Sequence, residues 1–365
     1  SYTKLITNTF EYQFYESSIW VTIWLTHVHF GFHICFLINM NLREIDFSRV
    51  LNDDQVYDHM MSDYDKLGRD WIVHQWSWMN NVYRAFNDHY KYLIVISLVE
   101  KTLQFYDQMN IQYTFDQFYS KSSLQIEKFS ITELCEKLQL PKETVRRKVL
   151  ELEKLGALKR IKKQIIIDRS VFSSVKPDRQ IKLTSKYIYL VSTIFRKNKI
   201  YSKDMDVKFI ENTIKKNFSL CWRWFYRMQI PIVIGYHEMF EDVATFHIWG
   251  TVAMNQAFNY KRLVENSSDR SLTPDYMNFN RGLIEDGASE SGISAMSISD
   301  MTNIPRATVI RKCKYLMKFN YLTLNDKKQY VLTSLNTQMV IPYQRAIFRN
   351  KAKFLRKVLN LLTIS

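Results

Sequence analysis

Glycine and proline are scarce in this chain, 8 and 6 among 365 residues, and cysteine is scarcer still at four. Few chain breakers favour helices joined by tight turns over a sheet-rich or glycine-loop architecture. Cys35, Cys135, Cys221 and Cys313 are far apart and form no C-x-x-C pair, so neither a zinc site nor a disulfide framework is expected, which suits a reducing cytoplasm. The motifs of common enzyme classes are missing too: there is no P-loop, no G-x-S-x-G and no G-x-G-x-x-G. His237-Glu238 begins like a zincin motif, but Glu241 stands where the second histidine belongs. The expectation is a non-enzymatic protein with no cofactor and no bound metal.

Charge is absent between Glu16 and Arg43, a stretch long enough to raise the question of a membrane span. Two features argue against one. His27, His29 and His33 are costly in lipid, and from Val28 to Ile38 apolar residues alternate with His and Gly at strand period. A metal role for the three histidines lacks any partner cysteine or carboxylate at ligand spacing. No basic n-region or small-residue cleavage site marks a signal peptide. Because ordinary soluble sequence begins abruptly at Met40, residues 1–39 are set apart as an uncertain segment, with Met40 as an alternative start.

What the chain has in excess is positive charge, net +15, and that charge is local. Residues 142–163 carry nine Lys/Arg against three Glu, and 305–328 carry seven against one Asp, so each stretch is +6. Residues 343–365 add six positives and no acid, which leaves the rest of the chain at −3. Concentrated cationic patches favour a polyanion, because each cation on a phosphate releases a counterion.

Two of these patches coincide with an internal repeat. "LPKETVRRKVLELEKL" from Leu140 aligns without a gap on "IPRATVIRKCKYLMKF" from Ile304, with seven of sixteen positions identical, where ordinary composition gives roughly one. The identities are Pro141/Pro305, Thr144/Thr308, Val145/Val309, Arg147/Arg311, Lys148/Lys312, Leu152/Leu316 and Lys154/Lys318. In the first copy Ser130 is placed to cap a short helix, with Glu133 reaching back as a capping box. Leu134 and Leu138 fall on its apolar face, Leu140 plugs the corner, and Pro141 opens a second helix running to about Leu155. Val145, Val149 and Leu152 form that helix's buried stripe, and Gly156 ends it. "ALKRIKKQIIID" then reads as a hairpin with a basic tip, matched in the second copy by "YLTLNDKKQYVLT" with its turn at Asn325 to Lys328.

Helix, turn, helix and basic hairpin together resemble bacterial winged-helix transcriptional regulators of the GntR, IclR and MarR kind, over about 40 residues per copy. The second copy departs at Asn320, against Gly156, and at Ile310, against Arg146. The resemblance implies that the N-terminal half of the second helix enters the DNA major groove. Lys142, Glu143, Thr144, Arg146 and Arg147 are then the candidate contacts, with Arg306, Thr308 and Arg311 as counterparts. Arginine pairs bidentately with guanine, so base reading falls to Arg146, Arg147 and Arg311. Lys148 and Lys312 are assigned to the DNA backbone, and Lys162, Lys163, Lys327 and Lys328 of the wings to flanking phosphates or the minor groove. Solvated basic helix faces, and winged helices that dock proteins, are the plainer alternatives.

The expected fold is mainly α, with two tandem winged helix-turn-helix domains and small β-hairpin wings, each preceded by an aromatic-rich helical block. The divisions are 40–120 helical block, 121–170 winged helix 1, 181–265 helical block, 290–335 winged helix 2 and 340–365 a basic amphipathic helix. Residues 168–180 read as the linker between halves, and 265–292 as a polar loop. Trp71, Trp76, Trp78, Trp222, Trp224 and Trp249 suit core packing more readily than a ligand pocket. In the last helix Phe348, Ala352, Leu355, Leu359 and Leu362 recur at helical spacing among Arg345, Arg349, Lys353, Arg356 and Lys357, a pattern for docking on the core or dimerising before lying on a membrane. Double-stranded DNA is the expected partner; a homodimer and a small-molecule effector stay open. Transcription regulation is the leading functional expectation, with a plasmid-type replication initiator and a protein-docking scaffold as alternatives.

Overall fold

A computed structural model of the chain describes residues 49–126, 128–162, 164–171, 176–266, 276–284, 290–333 and 337–365. The readings made of residues 1–39 and of Lys163 therefore lie outside the described residues. The fold is mainly helical. Helices α1 (Asp53–Ser62), α2 (Tyr64–Phe86), α3 (His89–Gln108) and α4 (Phe115–Phe118) come first, followed by strand β1 (Ser123–Ile126). Helices α5 (Ile131–Leu138) and α6 (Lys142–Lys154), strands β2 (Leu158–Ile161) and β3 (Gln164–Asp168), and helix α7 (Asp178–Lys197) complete this half.

The same order then recurs. It runs through α8 (Val207–Lys216), α9 (Phe218–Phe240), α10 (Val243–Asn266), α11 (Tyr276–Ile284), a lone bridge at Ile293, α12 (Ala295–Thr302), α13 (Arg306–Lys318), β4 (Leu322–Leu324), β5 (Tyr330–Leu332) and α14 (Thr337–Ile364). The match extends to length: α1 and α8 have 10 residues each, α2 and α9 have 23, α5 and α12 have 8, and α6 and α13 have 13.

Local chemistry sets the boundaries. Asn52 and Gln55 form a capping box at α1, while Asp88, Ser130, Asp206 and Ser294 accept from backbone N–H groups at the starts of α3, α5, α8 and α12. The breaks between long helices are made by Asn87 and Glu241, both in the left-handed region at φ 51° and 58°. Helix α6 ends at Gly156 with φ 73°, and Asn320, at φ 61°, does the same after α13. Asparagine tolerates that conformation, which is why the missing glycine in the second half costs little.

Residues 49–365 form one compact unit in which the two halves interlock. Helix α2 packs on α10 as α9 packs on α3; α1 lies on α14 as α8 lies on α7; α11 meets α2 as α4 meets α9. Where α2 meets α9, Gln75 Nε2 donates to Gln229 Oε1 at 2.9 Å, and each glutamine is the twelfth residue of its helix.

Aromatic side chains fill this interlocked core. Trp71, Trp78, Trp222 and Trp249 are buried, and Trp222 stacks on Phe225 with ring centroids 4.6 Å apart. The expected stripe of the last helix, Phe348, Ala352, Leu355, Leu359 and Leu362, is buried against the protein's own core, chiefly α9 and α1. One expectation needs correction. Residues 265–292, expected as a polar loop, include the helix α11 at 276–284, because Phe279 and Leu283 gain a buried face against Tyr64 and α10. Lys351, in the same last helix, is fully buried. Among the described residues no helix is long and apolar enough to cross a membrane.

Candidate nucleic-acid interface

Ahead of its last helix, α7 or α14, each half has a helix, a tight turn, a second helix and a hairpin. In the first, Ser130 accepts from the backbone N–H of Glu133 at 3.0 Å, and Gln139 takes the left-handed conformation that turns the chain. Leu140 is buried in the corner, and Pro141 stands at the N-cap of α6. Val145, Val149 and Leu152 are all buried, fixing which side of α6 faces inward. The second half repeats this with Ser294, Asn303, Ile304 and Pro305, and with Val309, Cys313 and Leu316 as the buried stripe of α13. Glu133 does not complete a capping box; its carboxylate pairs with Lys101 at 2.9 Å, tying α5 to α3.

The hairpins differ. Strands β2 and β3 are joined through Lys162, at φ 55°, and β3 also pairs antiparallel with β1, giving a sheet in the order β1-β3-β2. Strands β4 and β5 form a smaller hairpin whose turn is held by Asn325, its Oδ1 accepting from Lys327 N at 3.2 Å and Gln329 N at 2.9 Å. Both tips are basic and exposed at Lys162, Lys327 and Lys328.

On the helices, the outward faces carry Lys142, Glu143, Arg146 and Arg147 in α6, and Arg306 and Arg311 in α13, all exposed; Thr144 and Thr308 are half-buried at the helix flank. Arg147 makes only a loose pair with Glu151 at 3.9 Å. Outer residues beyond those expected are Lys314 and Lys318 in α13.

Lys148 and Lys312 depart from the sequence expectation. Assigned to phosphates, both turn inward. Lys148 Nζ lies 2.5 Å from Asp88 Oδ2 and 3.2 Å from Glu151, and Lys312 Nζ lies 2.8 Å from Asp242 Oδ2. Asp88 and Asp242 hold equivalent places, each just ahead of its long helix, where each also caps the backbone: Asp88 accepts from Tyr90 N and Lys91 N, Asp242 from Thr245 N. Burial opposes the charge on Lys148, but the hydrogen bond and charge of Asp88, with Glu151 behind them, hold the ammonium above its ordinary pKa. Burial likewise favours a protonated Asp242, yet the bond from Lys312 keeps its carboxyl below the usual carboxylate range. These charges therefore serve as matched latches. They hold α6 on α3 and α13 on α10, and so aim the remaining cations outward.

The aspartates were missed because they lie 60 and 70 residues upstream of their lysines. A signal existed: "FND" at 86–88 and "FED" at 240–242. Among the described residues no cluster of His, Cys, Asp or Glu is arranged to hold a metal ion. No protein-family model matches the chain, and no curated protein or solved structure matches it either.

Proposed function

We propose that the protein binds double-stranded DNA in a sequence-specific manner through two winged helices, α5–α6 with the β2–β3 hairpin and α12–α13 with the β4–β5 hairpin, related by a pseudo-two-fold. The observation that carries this reading is the selective exposure of cations. At matched positions Lys148 and Lys312 are neutralised inward, whereas Arg146, Arg147, Arg306 and Arg311 stay in solvent on the outer helix face. A merely solvated surface has no reason to be latched twice in the same way. In this reading Arg146, Arg147 and Arg311 reach guanine edges, and Lys162, Lys327 and Lys328 meet phosphates beside the groove. The biological role that fits is transcription regulation in the cytoplasm, through one bipartite site.

A second reading, docking of a protein, draws on the exposed apolar residues Leu150, Leu155 and Ile161 around α6 and Met317, Phe319 and Leu324 around α13. One experiment separates the two. Selection from a random DNA pool should enrich a bipartite motif, and the log of the affinity for it should fall with log salt at a slope of about −5 to −7 for roughly six to eight phosphate contacts. Changing Arg147 and Arg311 together to Ala should weaken specific binding by at least about 30-fold, from about 1–3 kcal/mol per base contact. An unenriched pool with a flat salt response defeats the DNA reading and favours docking.

A further inference from the structure

Between α2, α10, α11 and α14 the core leaves a cavity of about 70 Å³. Its walls include Trp71, Trp76, Phe246, Trp249, Phe279 and Phe348. A water needs roughly 10–15 Å³ of such space, so the cavity suits one small ring rather than a fused system.

Two further observations point to an occupant. Gln75, Gln344 and Trp249 line the cavity, and each is more than nine-tenths buried. Gln75 Oε1, Gln344 Oε1 and Trp249 Nε1 nevertheless have no hydrogen-bond partner among the described residues. Buried polar atoms are normally paired, because leaving one unmet forfeits its hydration with no return. The halves also differ here. The eighth residue of α3 is Ile96, which is 1% exposed, whereas the eighth residue of α10 is Gly250, and a Cβ there would meet nothing within 4 Å. One half fills this position and the other leaves it open, against the entropic cost of a glycine inside a helix.

We propose that this cavity binds an uncharged one-ring aromatic molecule bearing a primary amide or an equivalent pairing of donors and acceptor. Its two N–H groups complement Gln75 Oε1 and Gln344 Oε1, its carbonyl accepts from Trp249 Nε1–H, and its ring fills the space opposite Gly250. A carboxylate of the same size is disfavoured: it offers acceptors to two glutamine oxygens and must shed its water among aromatic walls. The site stands apart from the DNA reading and is tested without DNA.

The experiment uses the full chain, with benzamide as probe and toluene and benzoate as comparators, followed by calorimetry and thermal unfolding. Benzamide is expected to bind and raise Tm, and to bind at least 10-fold more tightly than toluene or benzoate. Gly250→Ile fills the space and abolishes the response while itself raising Tm. Gly250→Ala only narrows the cavity and weakens benzamide several-fold, which keeps the test sound if the isoleucine disturbs folding. Gln344→Met preserves shape but removes one acceptor, and brings benzamide toward the affinity of toluene. Absence of benzamide binding at millimolar concentration, equal binding to the Gly250→Ile protein, or toluene binding as tightly as benzamide overturns the proposal.

Discussion

Three histidines are buried in the interlocked core, and acid should unfold the protein through them. His74 accepts a hydrogen bond from Gln180 Nε2 at 2.9 Å on its Nε2, an arrangement that suits the neutral ring. His89, His247 and Asn80 form a chain across α3, α10 and α2: His89 Nε2 is 3.1 Å from His247 Nδ1, and His247 Nε2 is 2.8 Å from Asn80 Oδ1. With His247 donating to Asn80 and accepting from His89, both of its ring nitrogens are matched only while His247 is neutral. Burial, with the nearby Lys351 charge adding to it, lowers the pKa of His74 from 6.5 to about 3; burial lowers His89 to about 4, against the pull of Asp242 and Asp88, and takes His247 well below 6.5. The unfolded chain takes up these protons near pH 6.5 and the folded chain does not, so stability is full above that pH and is lost as pH falls toward the folded values. Between pH 7.5 and 5 that amounts to about 2 kcal/mol for His74 and about 2 kcal/mol for His89, with His247 acting in the same direction. Urea unfolding followed by circular dichroism at pH 7.5, 6.5, 5.5 and 5.0 measures it. The expected loss is about 4 kcal/mol or more, a large part of the usual stability of a domain. The reasoning would be refuted by an unfolding free energy that stays flat across this range, because the rings would then titrate alike folded and unfolded.

Removing the latches tests how the outward cations are aimed. Asp88→Ala and Asp242→Ala each strip a helix cap and leave a half-buried lysine without its anion, so each should cost about 1–3 kcal/mol in denaturant melts. On the DNA reading each should also weaken binding of its own half-site, seen as altered protection of one half of a bipartite footprint; equal effects on both halves would contradict the local role. Lys351 sits fully buried over Trp71 at 4.1 Å and Tyr187 at 4.7 Å, with no hydrogen-bond partner for its Nζ among the described residues, and burial pulls its pKa well below 10.5. Lys351→Met should stabilise the protein by about 1–3 kcal/mol. It should also remove a rise in stability as pH increases toward 10.5, since the unfolded lysine holds a proton that the folded one has given up. A less stable methionine variant, compared at pH 8 by thermal melts, would show that the Lys351 amine is held by something other than the ring faces.

The local pieces of this fold were legible from the residues because their causes are local. Ser130 and Ser294 cap, Pro141 and Pro305 open helices, and the stripes Val145–Val149–Leu152 and Val309–Cys313–Leu316 choose the buried face. The sixteen-residue match marked two similar helices, and the pattern of the last helix showed which of its faces would be buried. Sequence reasoning failed where a residue's fate depends on something distant. Nothing near Lys148 or Lys312 tells that Asp88 and Asp242 will stand within hydrogen-bond reach, and nothing near Lys351 tells that a helix rich in exposed cations buries one of them among aromatic rings. The helix of residues 276–284 was hidden for the same reason, since its polar flanks outweigh Phe279 and Leu283 until α2 and α10 give those two a surface to cover. The chain's own pattern thus determined the helices, their caps and the placement of charge in two stretches. Tertiary packing decided which charges are neutralised, which face solvent, and that a cavity remains beside Gly250, because burial and pairing belong to residues brought together across hundreds of positions rather than to any one segment.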